Sequence, residues 1–113
     1  MKAYKEMDYS RTADLHQFEF DHGHRRIIVS CTDMYQFEIR RFNEDVEINH
    51  DTLPDREELQ RDLKIGFCVD AVSGEVVEVT TEIRTKLITF ALDHLRYEVE
   101  AGIYDAKMTN LIE

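Results

Sequence analysis

The stretch Leu15-His16-Gln17-Phe18-Glu19-Phe20-Asp21-His22-Gly23-His24-Arg25-Arg26-Ile27-Ile28-Val29-Ser30-Cys31 decides the fold class. His16, Phe18 and Phe20 alternate with Gln17 and Glu19, the period-2 pattern of a strand with one buried face. Asp21-His22-Gly23-His24 interrupts it, and Gly23 can take the positive φ that a tight turn demands. Ile27, Val29 and Cys31 then share one face, while Ile28 shares the other with Arg26 and Ser30. Two strands joined this closely must be antiparallel neighbours, because a parallel return needs a long crossover.

Downstream, Thr32-Asp33-Met34 reads as a tight connection. Tyr35, Phe37 and Ile39 alternate with Gln36, Glu38 and Arg40, which predicts a third strand. Val46 and Ile48, after the Asn43-Glu44-Asp45 turn, predict a fourth. Asp51-Thr52-Leu53-Pro54-Asp55 reads as a helix start, with Thr52 or Leu53 before a proline at the first helical position. Leu59 and Leu63 share a face of that helix, and Gly66 is expected to end or interrupt it. Phe67, Val69, Val76, Val77 and Val79 around Gly74 suggest a second hairpin. The alternative is one helix running from Asp55 to Val72 with Gly66 inside it, at a cost of about 1 kcal/mol relative to Ala.

Thr80 or Thr81 can cap a long C-terminal helix carrying Ile83, Leu87, Ile88, Phe90, Ala91, Leu92, Leu95 and Val99. These span an arc of about 200°, wider than a typical surface-helix stripe, so the helix could cover a sheet and offer a flank to a second helix or subunit. Gly102 is a natural terminator. With Ile103, Tyr104, Met108, Leu111 and Ile112, the last residues need not be a free tail. Upstream, residues 1–14 read as a short helical turn or a loose segment, with Ala3, Tyr4 and Met7 as anchors. The expectation is one α+β domain over residues 1–113: an antiparallel meander of three or four strands, a short middle helix, a second hairpin and a long C-terminal helix packed on them.

The chain has 113 residues, with 24 acidic and 14 basic side chains and a formal net charge of -10. The acids are unevenly spread. Residues 1–42 carry seven acids and seven bases, residues 43–83 twelve acids and three bases, and residues 84–113 five and four. Direct nucleic-acid binding is not expected, since phosphate grip needs clustered Lys and Arg, and anionic membranes are disfavoured on the same ground. No span reaches the roughly 20 apolar residues needed to cross a bilayer, and the N-terminus does not read as a signal peptide. The cytoplasm is the expected compartment, with Cys31 and Cys68 as free thiols.

The chemistry-bearing residues are few. His22 and His24 flank Gly23 and could face one side as metal ligands, but two ligands in a turn do not define a zinc site, and a solvated turn is the plainer reading. His94 and Glu98 stand at i and i+4, so an imidazole–carboxylate pair for acid–base work is geometrically available; a satisfied helical histidine has the same signature. Glu57, Glu58 and Asp62 crowd the middle helix, with Arg61 and Lys64 as partners. The glycines form no phosphate-binding loop, and no cofactor is expected.

The function these features favour is a small acidic interaction or regulatory module. Glu44, Asp45, Glu47 and Asp55 would meet a basic protein partner, and a homodimer through the C-terminal helix is a secondary expectation. The competing reading is a small-ligand binder or enzyme with its pocket between sheet and C-terminal helix, where Phe18, Phe37 and Phe90 would line the walls.

Overall fold

The computed structural model describes residues 7–104; the expectations for residues 1–6 and for Met108, Leu111 and Ile112 lie outside that range. Seven elements follow one another: β1 (Met7–Thr12), β2 (Leu15–His22), β3 (Arg25–Thr32), α1 (Gln36–Asn43), α2 (Arg56–Asp62), β4 (Lys64–Asp70) and α3 (Thr81–Glu100). The strands form one antiparallel sheet in the order β1-β2-β3-β4. The fold is α+β, a four-stranded antiparallel meander with short helices and a long C-terminal helix.

The β2–β3 hairpin is the one the alternation implies. Phe18 pairs with Val29 and Phe20 with Ile27, and all four are fully buried on the face that α3 covers. Gly23 turns the corner at φ 66°. Each such aromatic or branched side chain contributes about 1.5–3 kcal/mol when withdrawn from water, so this register is strongly selected: a one-residue slip would expose the whole set.

Four expectations are corrected. First, residues 7–12 form β1 on the edge of the sheet, neither a helical turn nor a loose segment. Tyr9 lies opposite Phe18 and its side chain packs against the core.

Second, the alternation of Tyr35, Phe37 and Ile39 belongs to helix α1. Only Phe37 of the three is fully buried, and Ile39 is 56% exposed. Arg40 and Arg41 in the last turn complement the negative end of the helix. Third, Val46 and Ile48 lie in the irregular α1–α2 connection, where Ile48 is a buried anchor.

Fourth, α2 starts after Pro54. Asp55 is its N-cap, accepting the Glu58 N–H at 2.8 Å. The helix stops at Asp62 because the chain continues as β4, so Gly66 sits inside a strand. The hairpin beyond β4 is rudimentary: Val69 and Val76 make an isolated bridge, and the Val77 N–H donates to the Cys68 carbonyl at 2.8 Å.

Helix α3 is capped by Thr80, whose hydroxyl accepts the Ile83 N–H at 3.2 Å, and Gly102 follows its end at φ 78°. Its broad apolar arc is used within the chain. Ile83, Leu87, Ile88, Ala91, Leu92 and Leu95 are buried, Phe90 meets Phe20 with ring centroids 5.0 Å apart, and Val99 packs on the same core. Among the described residues no helix is long and apolar enough to cross a membrane.

Candidate functional site

The His94–Glu98 pair forms as its spacing implies, and it sits inside a larger polar cluster. His94 Nε2 lies 3.5 Å from Glu98 Oε2, with both side chains largely buried, but the contact lacks hydrogen-bond geometry and Nε2 has no hydrogen-bond partner. The Tyr9 ring stacks on the imidazole, centroids 3.8 Å apart, and Phe18 meets it edge-on at 6.4 Å. Glu98 Oε1 accepts the hydroxyl of Tyr35 at 2.8 Å and that of Tyr104 at 3.5 Å.

The cluster extends to His16, which alternation placed on the core face of β2. His16 is 2% exposed, and its Nδ1 lies 2.8 Å from the Tyr9 hydroxyl. That hydroxyl also interacts with Tyr35. A chain of polar groups therefore runs from His16 through Tyr9 and Tyr35 to Glu98, joining β1, β2, the start of α1 and the last turns of α3.

Burial, then the nearby Arg11 and His94, depresses the His16 pKa and keeps the ring neutral. Burial is also the main reason that the Tyr9, Tyr35 and Tyr104 hydroxyls all titrate above their ordinary range; the Glu98 carboxylate adds to this at each.

Beside this chain lies a cavity of about 330 Å³, lined among others by Arg11, Asp14, His16, Tyr35, Gln36 and Ile39. It opens where the β1–β2 turn meets the start of α1. Phe18 and Phe37 are fully buried and Phe90 packs on Phe20, so the three aromatics expected to line a pocket belong to the core.

The acidic middle third divides into two kinds of carboxylate. Glu58 and Asp62 are held by the basic doublet of α1. Arg41 forks onto Glu58 with bonds of 2.9 and 2.7 Å, and Arg40 bonds both Glu58 and Asp62. Residues from the near-neutral first third thus neutralise acids from the second.

Glu44, Asp45, Glu47 and Asp51, by contrast, are exposed on the α1–α2 connection. Asp55 is exposed too, but its carboxylate is engaged as the α2 cap. The connection is ordered by its own hydrogen bonds. Arg41 Nε donates to the Thr52 carbonyl, the Thr52 hydroxyl donates to that of Glu47, and the Asp51 N–H donates to Asn49 Oδ1.

His22 and His24 are not brought to further ligands. His22 lies 3.3 Å from Lys86 Nζ and 3.9 Å from Glu82, and His24 is exposed at the turn. Among the described residues no group of three or more His, Cys, Asp and Glu side chains could hold a metal ion. Compared with family models, with curated proteins and with solved structures, the chain matches none of them.

Proposed function

We propose that this protein is an interaction module that presents the acidic α1–α2 connection to a basic protein partner. The observation that carries the reading is the placement of Glu44 and Asp45. They stand at the C-cap and the following position of α1, where the helix dipole is negative and carboxylates are unfavourable.

Asp45 also adopts φ 57°. Its N–H donates to the Phe42 carbonyl and the Val46 N–H to that of Arg41, at 3.1 and 2.8 Å. This is the helix-ending motif in which glycine usually occupies the left-handed position. Two acids at a helix C-terminus, Glu44 within reach of the Arg41 charge and Asp45 in the left-handed position, followed by Glu47 and Asp51 on an ordered connection, fit a surface kept for charge. An ordered loop also loses less entropy on binding.

The test is fluorescence anisotropy with a synthetic Lys/Arg-rich peptide across ionic strengths. Saturable binding should weaken with salt as the Debye length falls from about 10 Å at 0.1 M to about 3 Å at 1 M. The combination Glu44→Gln, Asp45→Asn, Glu47→Gln, Asp51→Asn should abolish it, while Glu75→Gln with Glu78→Gln should leave it intact. Equal losses in both variants would reduce the effect to overall charge and remove the proposal.

A further inference from the structure

The cavity at the mouth of the polar chain is walled by groups whose hydrogen-bonding roles can be assigned. The Tyr35 hydroxyl donates to Glu98 Oε1 at 2.8 Å. The Tyr9 hydroxyl contacts His16 Nδ1 at 2.8 Å, and a neutral imidazole nitrogen is a better acceptor than a phenol oxygen. The Tyr9 proton therefore goes to Nδ1. That fixes the His16 tautomer with its hydrogen on Nε2.

His16 Nε2 has no hydrogen-bond partner among the described residues. It is not one of the sealed-off orphan atoms, a condition found among the described residues only at His94 Nε2, and His16 lines the cavity. An otherwise buried imidazole thus directs an N–H into the open space.

Two further donors share that space. Arg11 is positioned by its Nε bond to the Ala13 carbonyl at 2.9 Å and by its guanidinium over the Tyr35 ring at 5.4 Å, which leaves its terminal nitrogens for a ligand. Helix α1 begins at the same wall. Its N-cap Tyr35 makes no side-chain capping bond; the Gln36 and Glu38 N–H groups donate to the Asp33 and Tyr35 carbonyls at 3.5 and 3.0 Å, which leaves the Phe37 N–H among the first-turn donors.

The wall's own carboxylates are partly taken. Asp33 meets Lys64 at 3.4 Å and accepts from Gln36 Nε2 at 3.3 Å, and Glu38 interacts with Tyr104. Donors converge in a volume at the lower end of small-ligand sites, and the carboxylates of Asp14, Asp33 and Glu38 share the wall with them.

We propose that this cavity binds a small organic carboxylate, whose oxygens accept from His16 Nε2–H, the Arg11 guanidinium and the start of α1. A single negative charge is favoured over a phosphate dianion, because Asp14, Asp33 and Glu38 remain nearby and repel a second charge. This site is separate from the acidic connection at the opposite end of α1 and stands or falls independently of it.

The experiment is an NMR titration of the full chain with acetate, lactate and inorganic phosphate at constant ionic strength, following backbone amides and imidazole nitrogens. Acetate and lactate should give saturable shifts at His16, Tyr35 and Gln36, with phosphate binding several-fold weaker. The His16 nitrogens should report an Nε2–H ring before ligand is added. Arg11→Gln, at an exposed position, should cost about tenfold or more in affinity, and His16→Phe should do the same while keeping a ring in the core.

If His16→Phe does not fold, Arg11→Gln alone decides. No saturable shift at these residues, an Nδ1–H ring, phosphate binding as tight as carboxylate, or unchanged affinity in Arg11→Gln would each overturn the proposal.

Discussion

A Cβ placed on Gly66 would lie 2.5 Å from the hydroxyl oxygen of Ser30, and that hydroxyl accepts the Phe67 N–H at 2.7 Å. The pairing of β3 with β4 shifts register between Val29 and Cys31, so Gly66 and Phe67 together oppose Ser30. The serine supplies the acceptor that the bulge removes from the ladder. Glycine is needed at position 66 because Ser30 approaches so closely. Turning the hydroxyl away to admit a methyl group would strand the Phe67 N–H.

Gly66→Ala should therefore destabilise the fold by about 1–3 kcal/mol, and Ser30→Ala by a similar amount through the orphaned N–H. The double variant should lose less than the sum, because the methyl no longer meets a hydroxyl. Urea unfolding of the four proteins measures this coupling, and strict additivity would refute the account.

Glu58 ties α1 to α2. Hydrogen bonds from Arg41, and then from Arg40, hold its carboxyl near a pKa of about 2, against an ordinary value of 4.5. A folded-state pKa below the unfolded one gives stability that is complete above pH 4.5 and lost as the pH falls towards 2. Glu58→Gln should cost about 1.5–3 kcal/mol at neutral pH, the range for hydrogen bonds to charged groups. It should also flatten the decline in stability between pH 5 and pH 2. Denaturant midpoints across that range test both parts; an unchanged acid slope would show that Glu58 does not carry it.

How much of this could be read in the sequence follows from how local each signal is. The β2–β3 hairpin was legible because eight-residue strands alternate on both sides of a glycine that must turn. The start of α3 was legible in Thr80. Three apolar residues at Tyr35, Phe37 and Ile39 were too few to separate a strand from one turn of helix, although Glu38 before Arg40 and Arg41 follows the dipole rule for a helix. In β1 only Met7 and Tyr9 mark the inner face, too short a run to register.

At the candidate site, only the i, i+4 relation of His94 and Glu98 is a local property. Tyr9, His16 and Tyr35 meet them solely through the pairing of β1 with β2 and the packing of α1, which no spacing along the chain encodes. Likewise, summing charge by segment concealed that Arg40 and Arg41 neutralise acids found 17–22 residues later.

The buried Tyr104 and the half-buried Tyr9 and Tyr35 set the alkaline limit. Burial raises the pKa values of Tyr9, Tyr35 and Tyr104, and pushes the Cys31 thiol up to about 12 from 9.0. Groups whose folded pKa exceeds the unfolded value give stability that is complete below the unfolded pKa and lost as the pH rises towards the folded one. Stability should hold to about pH 9, then fall steeply as the thiol and the tyrosines of the unfolded chain ionise near 8.5–10. In a spectrophotometric titration, at least three of the five tyrosines should stay silent until the circular dichroism signal collapses. Ionisation of all five near pH 10 in the folded protein would contradict the burial of the cluster.

Asp45 supplies the reverse case, a residue whose replacement should raise stability. Relief of the left-handed backbone strain at φ 57° is worth about 1 kcal/mol. Removing a carboxylate from the helix C-terminus adds about 0.3–1 kcal/mol, and the entropy of glycine in the unfolded chain takes back about 0.5–1 kcal/mol. Asp45→Gly should thus stabilise by about 0.3–1.5 kcal/mol. Asp45→Asn, which tolerates the conformation but drops the charge, should gain only the electrostatic part, and the gain should shrink in high salt. Asp45→Val should lose stability, because a β-branched side chain is strained there. A destabilised Asp45→Gly variant in thermal or urea unfolding would mean that the Asp45 carboxylate supports the fold, and the reading of Glu44 and Asp45 as acids kept for a partner would lose its physical basis.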